Sequence, residues 1–102
     1  MFTVIYRWRI KSELEQQFVE SWSEITAEYY LNCDGALGSR LHQGNDGLWY
    51  AYAQWKSAED REFAFQNIPN MTAREKMKET IEESFPEVRL EIMADFLIFP
   101  EN

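Results

Sequence analysis

The segment from Leu48 to Trp55 constrains the fold most, because it has the length of a β-strand and carries large side chains on both faces. Side chains alternate across a strand, so Tyr50 and Tyr52 point to one face and Trp49 and Trp55 to the other. A chain of 102 residues can cover one face of a sheet with helices and has little left for the second. The segment therefore predicts a sheet that needs a partner on one face.

Charge and hydropathy restrict the possible partners and compartments. The chain has a net charge of -8, whereas binding to nucleic acid or to an anionic membrane needs a cationic surface. No apolar run approaches the roughly 20 residues of a membrane-spanning helix, and Met1 is followed directly by strand-like sequence. We expect one soluble, cytoplasmic domain over residues 1–102, with no nucleic acid and no membrane as partner.

The residues that bind metals or cofactors are scarce. Cys33 and His42 are the only cysteine and the only histidine, so an internal disulfide is impossible and a transition-metal site is not expected. No glycine-rich loop with the spacing of a phosphate-binding motif occurs. The sequence predicts no metal and no cofactor.

Hydrophobic periodicity predicts seven elements in the order β-α-β-β-α-α-β. The strands are expected at 2–10, 36–42, 48–55 and 88–99. Ser12-Glu13-Leu14-Glu15 and Thr72-Ala73-Arg74-Glu75 have the form of capping boxes, Ser57 starts a short helix between them, and Pro86 should end the third helix. This order predicts an α+β, ferredoxin-like fold, an antiparallel four-stranded sheet with its helices on one face.

Aromatic side chains on the first and third strands predict an assembly. Together they offer more area than the few hundred Å² of apolar patch that monomers usually expose, although the sequence does not fix which face carries each of them: Phe2, Tyr6, Trp8, Tyr50 and Tyr52. We expect a homodimer in which two sheets pack face to face. The alternative is that the polar edges of these rings face water.

Three motifs carry a resemblance to a known family. They are the strand that ends in Leu41-His42, the Asp46-Gly47 turn and the strand-to-helix junction Tyr52-Ala53-Gln54-Trp55-Lys56-Ser57. With the order of elements, they make nearly the whole chain similar to the antibiotic biosynthesis monooxygenase family. The resemblance implies a dimeric α+β barrel. Members include cofactor-independent monooxygenases of polyketide quinones, quinol oxygenases, haem-degrading enzymes and proteins with no assigned activity.

The resemblance also implies candidate catalytic residues. Trp55 stands where the family has its active-site tryptophan, His42 where some members have a strand histidine, and Arg74 where they have a helix arginine. The asparagine expected four residues before that tryptophan is Ala51, and the tyrosine expected six residues after it is Arg61. Two of the family's catalytic groups are therefore replaced.

Haem degradation is not expected. The first-strand asparagine of the haem-degrading branch corresponds to Arg7 and its helix tryptophan to about Ala64, and no predicted helix carries a histidine.

The candidate residues suit oxidation of a phenol or hydroquinone. Arg7 or Arg74 would stabilise a phenolate and His42 could accept the phenolic proton, while Trp55 and Tyr52 could stack on a flat ring, with Arg7 and Tyr52 acting as ligand-binding residues. Each also has a structural interpretation. His42 could be a solvated residue beside a turn, Trp55 a core residue under a helix, and Arg7 the partner of Glu91 or Asp95.

Two classes of function follow from these residues. The first is a cofactor-independent monooxygenase or related oxidoreductase for a small aromatic compound, with an isomerase or cyclase using the same pocket as a variant. The second is a non-catalytic dimeric module that binds a small ligand or serves in a stress response, which the residues Ala51 and Arg61 favour.

Overall fold

The elements follow the predicted order in the structure, a computed structural model that describes residues 1–67 and 70–98. Their bounds are β1 Phe2–Ile10, a 3₁₀ turn Ser12–Leu14, α1 Glu15–Asn32, β2 Ala36–Gln43, β3 Trp49–Trp55, α2 Ala58–Gln66, α3 Met71–Thr80 and β4 Ile81–Leu90. The strands form one antiparallel sheet in the order β2-β3-β1-β4, with the helices on one face. The predicted ferredoxin-like fold is confirmed. None of the helices in the described part of the chain is long and apolar enough to cross a membrane.

The register of β1 against β3 decides what each face of the sheet carries. Tyr6 pairs with Ala51 and Trp8 with Trp49, so these four side chains share one face. Burial alternates along β3, and Trp49 and Ala51 are among its buried residues. We call this side the helix face, and the opposite side, which carries Tyr50 and Tyr52, the outer face. The aromatic residues predicted as one uncovered group are therefore divided, because those of β1 point towards the helices.

Two buried clusters hold the helices on the sheet. Phe18, on the apolar stripe of α1, is fully buried, and its ring meets Trp8 and Trp49 edge-on at centroid distances of 5.4 and 5.5 Å. The second cluster joins Trp55 to Cys33 at the end of α1 and Ala64 of α2. Edge-to-face aromatic pairs at such distances add about 0.5–1.5 kcal/mol each beyond the area they bury.

The helix starts follow the predicted chemistry only in part. Ser57 caps α2, because its hydroxyl accepts a hydrogen bond from the Asp60 backbone N–H at 3.1 Å. Ser12 caps no helix and begins a 3₁₀ turn instead. The cap of α3 is Asn70, whose side-chain oxygen accepts from the Ala73 N–H at 3.0 Å, and not Thr72. Ile68 and Pro69, expected to break α2, lie outside the described residues.

The position predicted for the last strand is wrong. The third helix ends at Thr80 and β4 covers Ile81–Leu90, whereas the strand was expected at 88–99 and the helix as far as Pro86. Pro86 lies in an edge strand, beside a bulge in the pairing with β1, where the missing N–H interrupts no sheet bond. Residues 91–98 form no regular element, and Phe99 lies outside the described residues.

Candidate functional site

A cavity of about 280 Å³ lies between the helix face of the sheet and the helices. Its floor is Ala51 and Ala53 of β3, two small residues between Trp49 and Trp55 on the same face. A methyl group in place of a large side chain leaves a space that the helices do not fill, because the flanking tryptophans hold them away from the strand. The large-small-small-large pattern of β3 thus creates the cavity.

Aromatic rings form most of the wall. They come from β1, β3, α1 and α2 and comprise Tyr6, Trp8, Trp22, Tyr29, Trp55 and Phe65. Tyr6 and Trp8 are stacked at 6.1 Å with an interplanar angle of 18°. Phe65 meets Trp55 at 5.8 Å and Tyr29 at 5.7 Å. Flat apolar walls suit a planar ring system.

Positive charge enters the cavity from α3. Arg74 and Lys78 are four residues apart, hence on one face of the helix, and both line the cavity. Lys78 and Phe65 are exposed and mark its edge. None of the described residues that line the cavity carries a carboxylate or an imidazole. In a chain with a net charge of -8, two cations beside a wall without carboxylates would favour an anionic ligand.

Behind the wall, an ion pair reaches Tyr6. Arg61 of α2 contacts both carboxylate oxygens of Glu87 at 2.8 and 2.9 Å, and its Nη1 donates a long hydrogen bond of 3.4 Å to the Tyr6 hydroxyl. Its guanidinium also lies 4.9 Å from the centroid of the Phe2 ring. The Arg61 side chain is 13% exposed and that of Glu87 33%, so the cation of this pair is largely shielded from water while the carboxylate is partly open to it.

Burial governs the ionisation of the cavity tyrosines. It raises the pKa of Tyr6 above the ordinary value, while the hydrogen bond and charge of Arg61 act in the opposite direction. Burial likewise raises the pKa of Tyr29, against the charge of Arg74. Both hydroxyls are therefore protonated at neutral pH, and each has a proton that a ligand could accept.

One donor in the cavity wall has no partner. The Trp55 indole Nε1–H is buried and makes no hydrogen bond with the described residues. This N–H lies close enough to the Tyr6 hydroxyl to lower the pKa of Tyr6 slightly, but its geometry falls short of a hydrogen bond. A buried N–H without an acceptor costs about 1–3 kcal/mol, which a ligand oxygen at this point would recover.

The candidate residues from the sequence do not converge on one site. Trp55 and Arg74 both line the cavity. Arg7, His42 and Tyr52 lie on the outer face, because Arg7 and His42 both pair with Tyr50 across the sheet and Tyr52 follows two residues later. His42 is exposed there. The sheet separates His42 from Trp55, so within one chain the two do not border the same space.

Arg7 has a structural partner other than the expected ones. Its Nη2 donates to the Pro86 carbonyl at 3.1 Å and its guanidinium lies 5.6 Å from the Phe85 ring centroid. Glu91 and Asp95, the expected partners, follow the end of β4 and form no ion pair with it.

Tyr6, Tyr29 and Trp22 line the cavity although the sequence did not identify them as site residues. Alternation along β1 places Tyr6 on the face shared with Val4, and periodicity places Trp22 and Tyr29 on the sheet-facing stripe of α1. These signals indicated core residues. The pairing of Tyr6 with Ala51 places its ring beside a small side chain, and this register is what brings Tyr6 to the cavity.

Within residues 1–67 and 70–98, no group of three His, Cys, Asp or Glu side chains is placed to hold a metal ion.

Solved structures share this fold. A protein of Caulobacter crescentus CB15 superposes with a TM-score of 0.79 at 14% identity, covering 91% of this chain and 90% of its own. Rv0793 from Mycobacterium tuberculosis gives 0.76 at 12% identity over 94% and 98%. A variant of SnoaB, a cofactor-independent oxygenase from Streptomyces nogalater, gives 0.74 at 13% identity over 93% and 95%.

No curated protein sequence matches the chain at a significant level. The family model described as antibiotic biosynthesis monooxygenase matches residues 1–81, which include every strand and helix from β1 to the end of α3. The chain belongs to the antibiotic biosynthesis monooxygenase family.

Proposed function

We propose that this protein is a cofactor-independent monooxygenase that oxidises a small aromatic phenol or hydroquinone in the cavity between sheet and helices. The observation that carries the proposal is an aromatic-walled cavity with two cations, Arg74 and Lys78, in a strongly acidic chain. Family membership and the structural similarity to a cofactor-independent oxygenase support it.

The cavity volume limits the size of the substrate. An apolar cavity of about 150 Å³ accepts one benzene ring, and the cavity here measures about 280 Å³. Two fused rings therefore fit inside, and a third ring would extend past Phe65 towards solvent.

The chemistry requires a substrate that supplies its own electrons. An anthrone-like ring system does so through its enolate: O2 converts the ring CH2 into a carbonyl, and the second oxygen atom leaves as water. Arg74 and Lys78 would stabilise the enolate or phenolate, and Trp55 and Phe65 would hold the ring. With no carboxylate or imidazole among the lining residues, the rate should rise with pH through the pKa of the substrate.

Oxygen-electrode assays with anthrone and naphthalene-diols test this proposal, with ¹⁸O2 to follow the inserted atom. Arg74→Gln should lower kcat/KM at least about tenfold, because it removes a charge that faces the anion. Lys76→Gln, an equal loss of charge on the exposed side of α3, is the matched control and should change little. Oxygen uptake no faster than autoxidation would contradict the proposal.

A non-catalytic ligand-binding module is the second candidate. It is favoured by the lack of an acid or base among the lining residues, and by Ala51 and Arg61 where related enzymes carry asparagine and tyrosine. Saturable binding of the same aromatic compounds without turnover would identify this function.

We further propose that two copies pack through their outer faces. Members of the family are typically dimeric, and this face carries Ile5, Leu37 and Tyr52. Beside it the segment 91–98 exposes Met93, Phe96 and Ile98 at 84, 91 and 90%. So much contiguous apolar surface is unusual on a monomer. Arg7, His42 and Tyr52 would then lie at the interface between copies and not in the cavity.

A further inference from the structure

The Tyr6 hydroxyl in the cavity wall has a proton that no described residue accepts. The Tyr6 oxygen accepts a hydrogen bond from Arg61, and no described residue accepts one from the Tyr6 O–H. Tyr6 lines the cavity, whereas Arg61 lies behind it. The cation therefore acts on a ligand only through the phenol, whose O–H becomes a stronger donor when its oxygen accepts a bond from a positive group.

The Trp55 indole N–H is a second donor in the same part of the cavity wall. Its Nε1–H is buried at 4% residue exposure, has no partner in the described part of the chain, and lies near the Tyr6 hydroxyl. These two donors on one wall, neither of which bonds an acceptor among the described residues, match one oxygen atom of a ligand. An anionic oxygen gains most, since hydrogen bonds to charged groups are about twice as strong as neutral ones.

We propose that Tyr6 donates a hydrogen bond to the anionic oxygen of a bound aromatic ligand, and that Arg61, held by Glu87, is the residue that positions the Tyr6 hydroxyl. This rests on the proposed cavity site and names the group that recognises its ligand. The other charged or titratable groups that line this cavity are Tyr29 from α1 and Arg74 and Lys78 from α3.

Arg61 and Arg89 form a natural pair for the test. Both contact the Glu87 carboxylate, at 2.8 and 3.2 Å, and both lie over the Phe2 ring, at 4.9 and 5.4 Å. Only Arg61 reaches Tyr6. Arg61→Gln and Arg89→Gln thus both remove contacts with Glu87 and Phe2. They differ in the contacts that Arg61 alone makes, with the phenol and, at 5.6 Å, with the Phe65 ring.

The probe is 4-nitro-1-naphthol, a two-ring phenol whose anion absorbs visible light and whose nitro group prevents oxidation by O2. Titration of the protein-bound probe should show a pKa below that of the free probe. Tyr6→Phe should raise the bound pKa by about one unit and weaken binding of the anion about tenfold. Arg61→Gln should move the bound pKa in the same direction, Arg61→Lys should restore part of the shift, and Arg89→Gln should leave it unchanged.

The results separate this inference from the proposed function. An identical bound pKa in Tyr6→Phe and wild type, or no binding of the probe, overturns the role of Tyr6. Equal effects of Arg61→Gln and Arg89→Gln overturn the positioning role of Arg61. Circular dichroism confirms that each variant is folded. If anthrone is oxidised while Tyr6→Phe leaves the probe unaffected, the function stands and the inference fails. If the probe behaves as expected but no compound causes oxygen uptake, the role of Tyr6 stands and the proposed oxidation fails.

Discussion

Glu87 gives the clearest effect of a single residue on stability. Burial alone would raise the pKa of its carboxyl, but the hydrogen bonds and charges of Arg61 and Arg89 outweigh burial and hold the pKa below its ordinary value. A carboxyl with a depressed pKa contributes stability above its unfolded pKa of about 4.3, and loses it as pH falls through the folded pKa.

Glu87→Gln should therefore lower the free energy of unfolding by about 1 kcal/mol near pH 7. The difference should shrink as the pH falls below about 4.3 and then through the folded pKa of Glu87, because the wild-type carboxyl becomes neutral like the amide. Urea unfolding over a series of pH values from 7 downwards measures it. The control is Glu83→Gln, which breaks the exposed pair with Arg9 at 3.6 Å and should change stability little. A Glu87→Gln effect independent of pH would contradict the assignment to the ion pair.

At the scale of single residues, the cavity could be predicted only in part from the sequence. Trp55 and Arg74 were identified by resemblance and both line it. Tyr52 could have been set aside from the sequence, because it lies three residues from Trp55 on a strand and so points to the opposite face. His42 could not, since its face depends on the pairing of β2 with β3 and on the bulge between Ala36 and Gly38.

At the scale of elements, α3 matters most, because it carries both cavity cations. Its start depends on Asn70, whose side chain accepts from the Ala73 N–H and also donates to Glu28 of α1 at 3.3 Å. Asn70→Ala should destabilise the protein by about 1 kcal/mol through loss of the cap. Thr72→Ala, at the position that the sequence suggested as the cap, should have almost no effect. Urea unfolding of both variants checks this, and equal effects would contradict the observed cap.

The boundary between α3 and β4 was the element that periodicity could not predict. Met77, Ile81 and Phe85 recur every four residues, which is the helical spacing, yet Ile81 and Phe85 lie in a strand. Their pairing with β1 stabilises the strand: Ile81 pairs with Ile10 and Phe85 with Arg7. These contacts join residues about 70 positions apart, and no local pattern reports them.

At the scale of the whole molecule, the outer face predicts association. Wild-type protein should have twice the 12.2 kDa chain mass in size-exclusion chromatography with light scattering at micromolar concentration. Phe96→Glu should shift it towards the monomer without unfolding it, because that side chain is 91% exposed within one copy. Leu31→Glu, at an 82% exposed position at the end of α1, is the matched control. A wild-type mass of one chain would contradict the dimer.

The sequence by itself determined the order of the elements, the two faces of β1 and β3 and the family, because alternation, helical periodicity and turn residues act between near neighbours in the chain. It also predicted a face that needs a partner. The tertiary structure decided where α3 ends, which residue caps it, and which candidates share the cavity. Those outcomes depend on strand register and on contacts such as Arg61 with Tyr6, 55 residues apart. Packing between segments far apart in the chain determines these outcomes, so patterns among neighbouring residues cannot predict them.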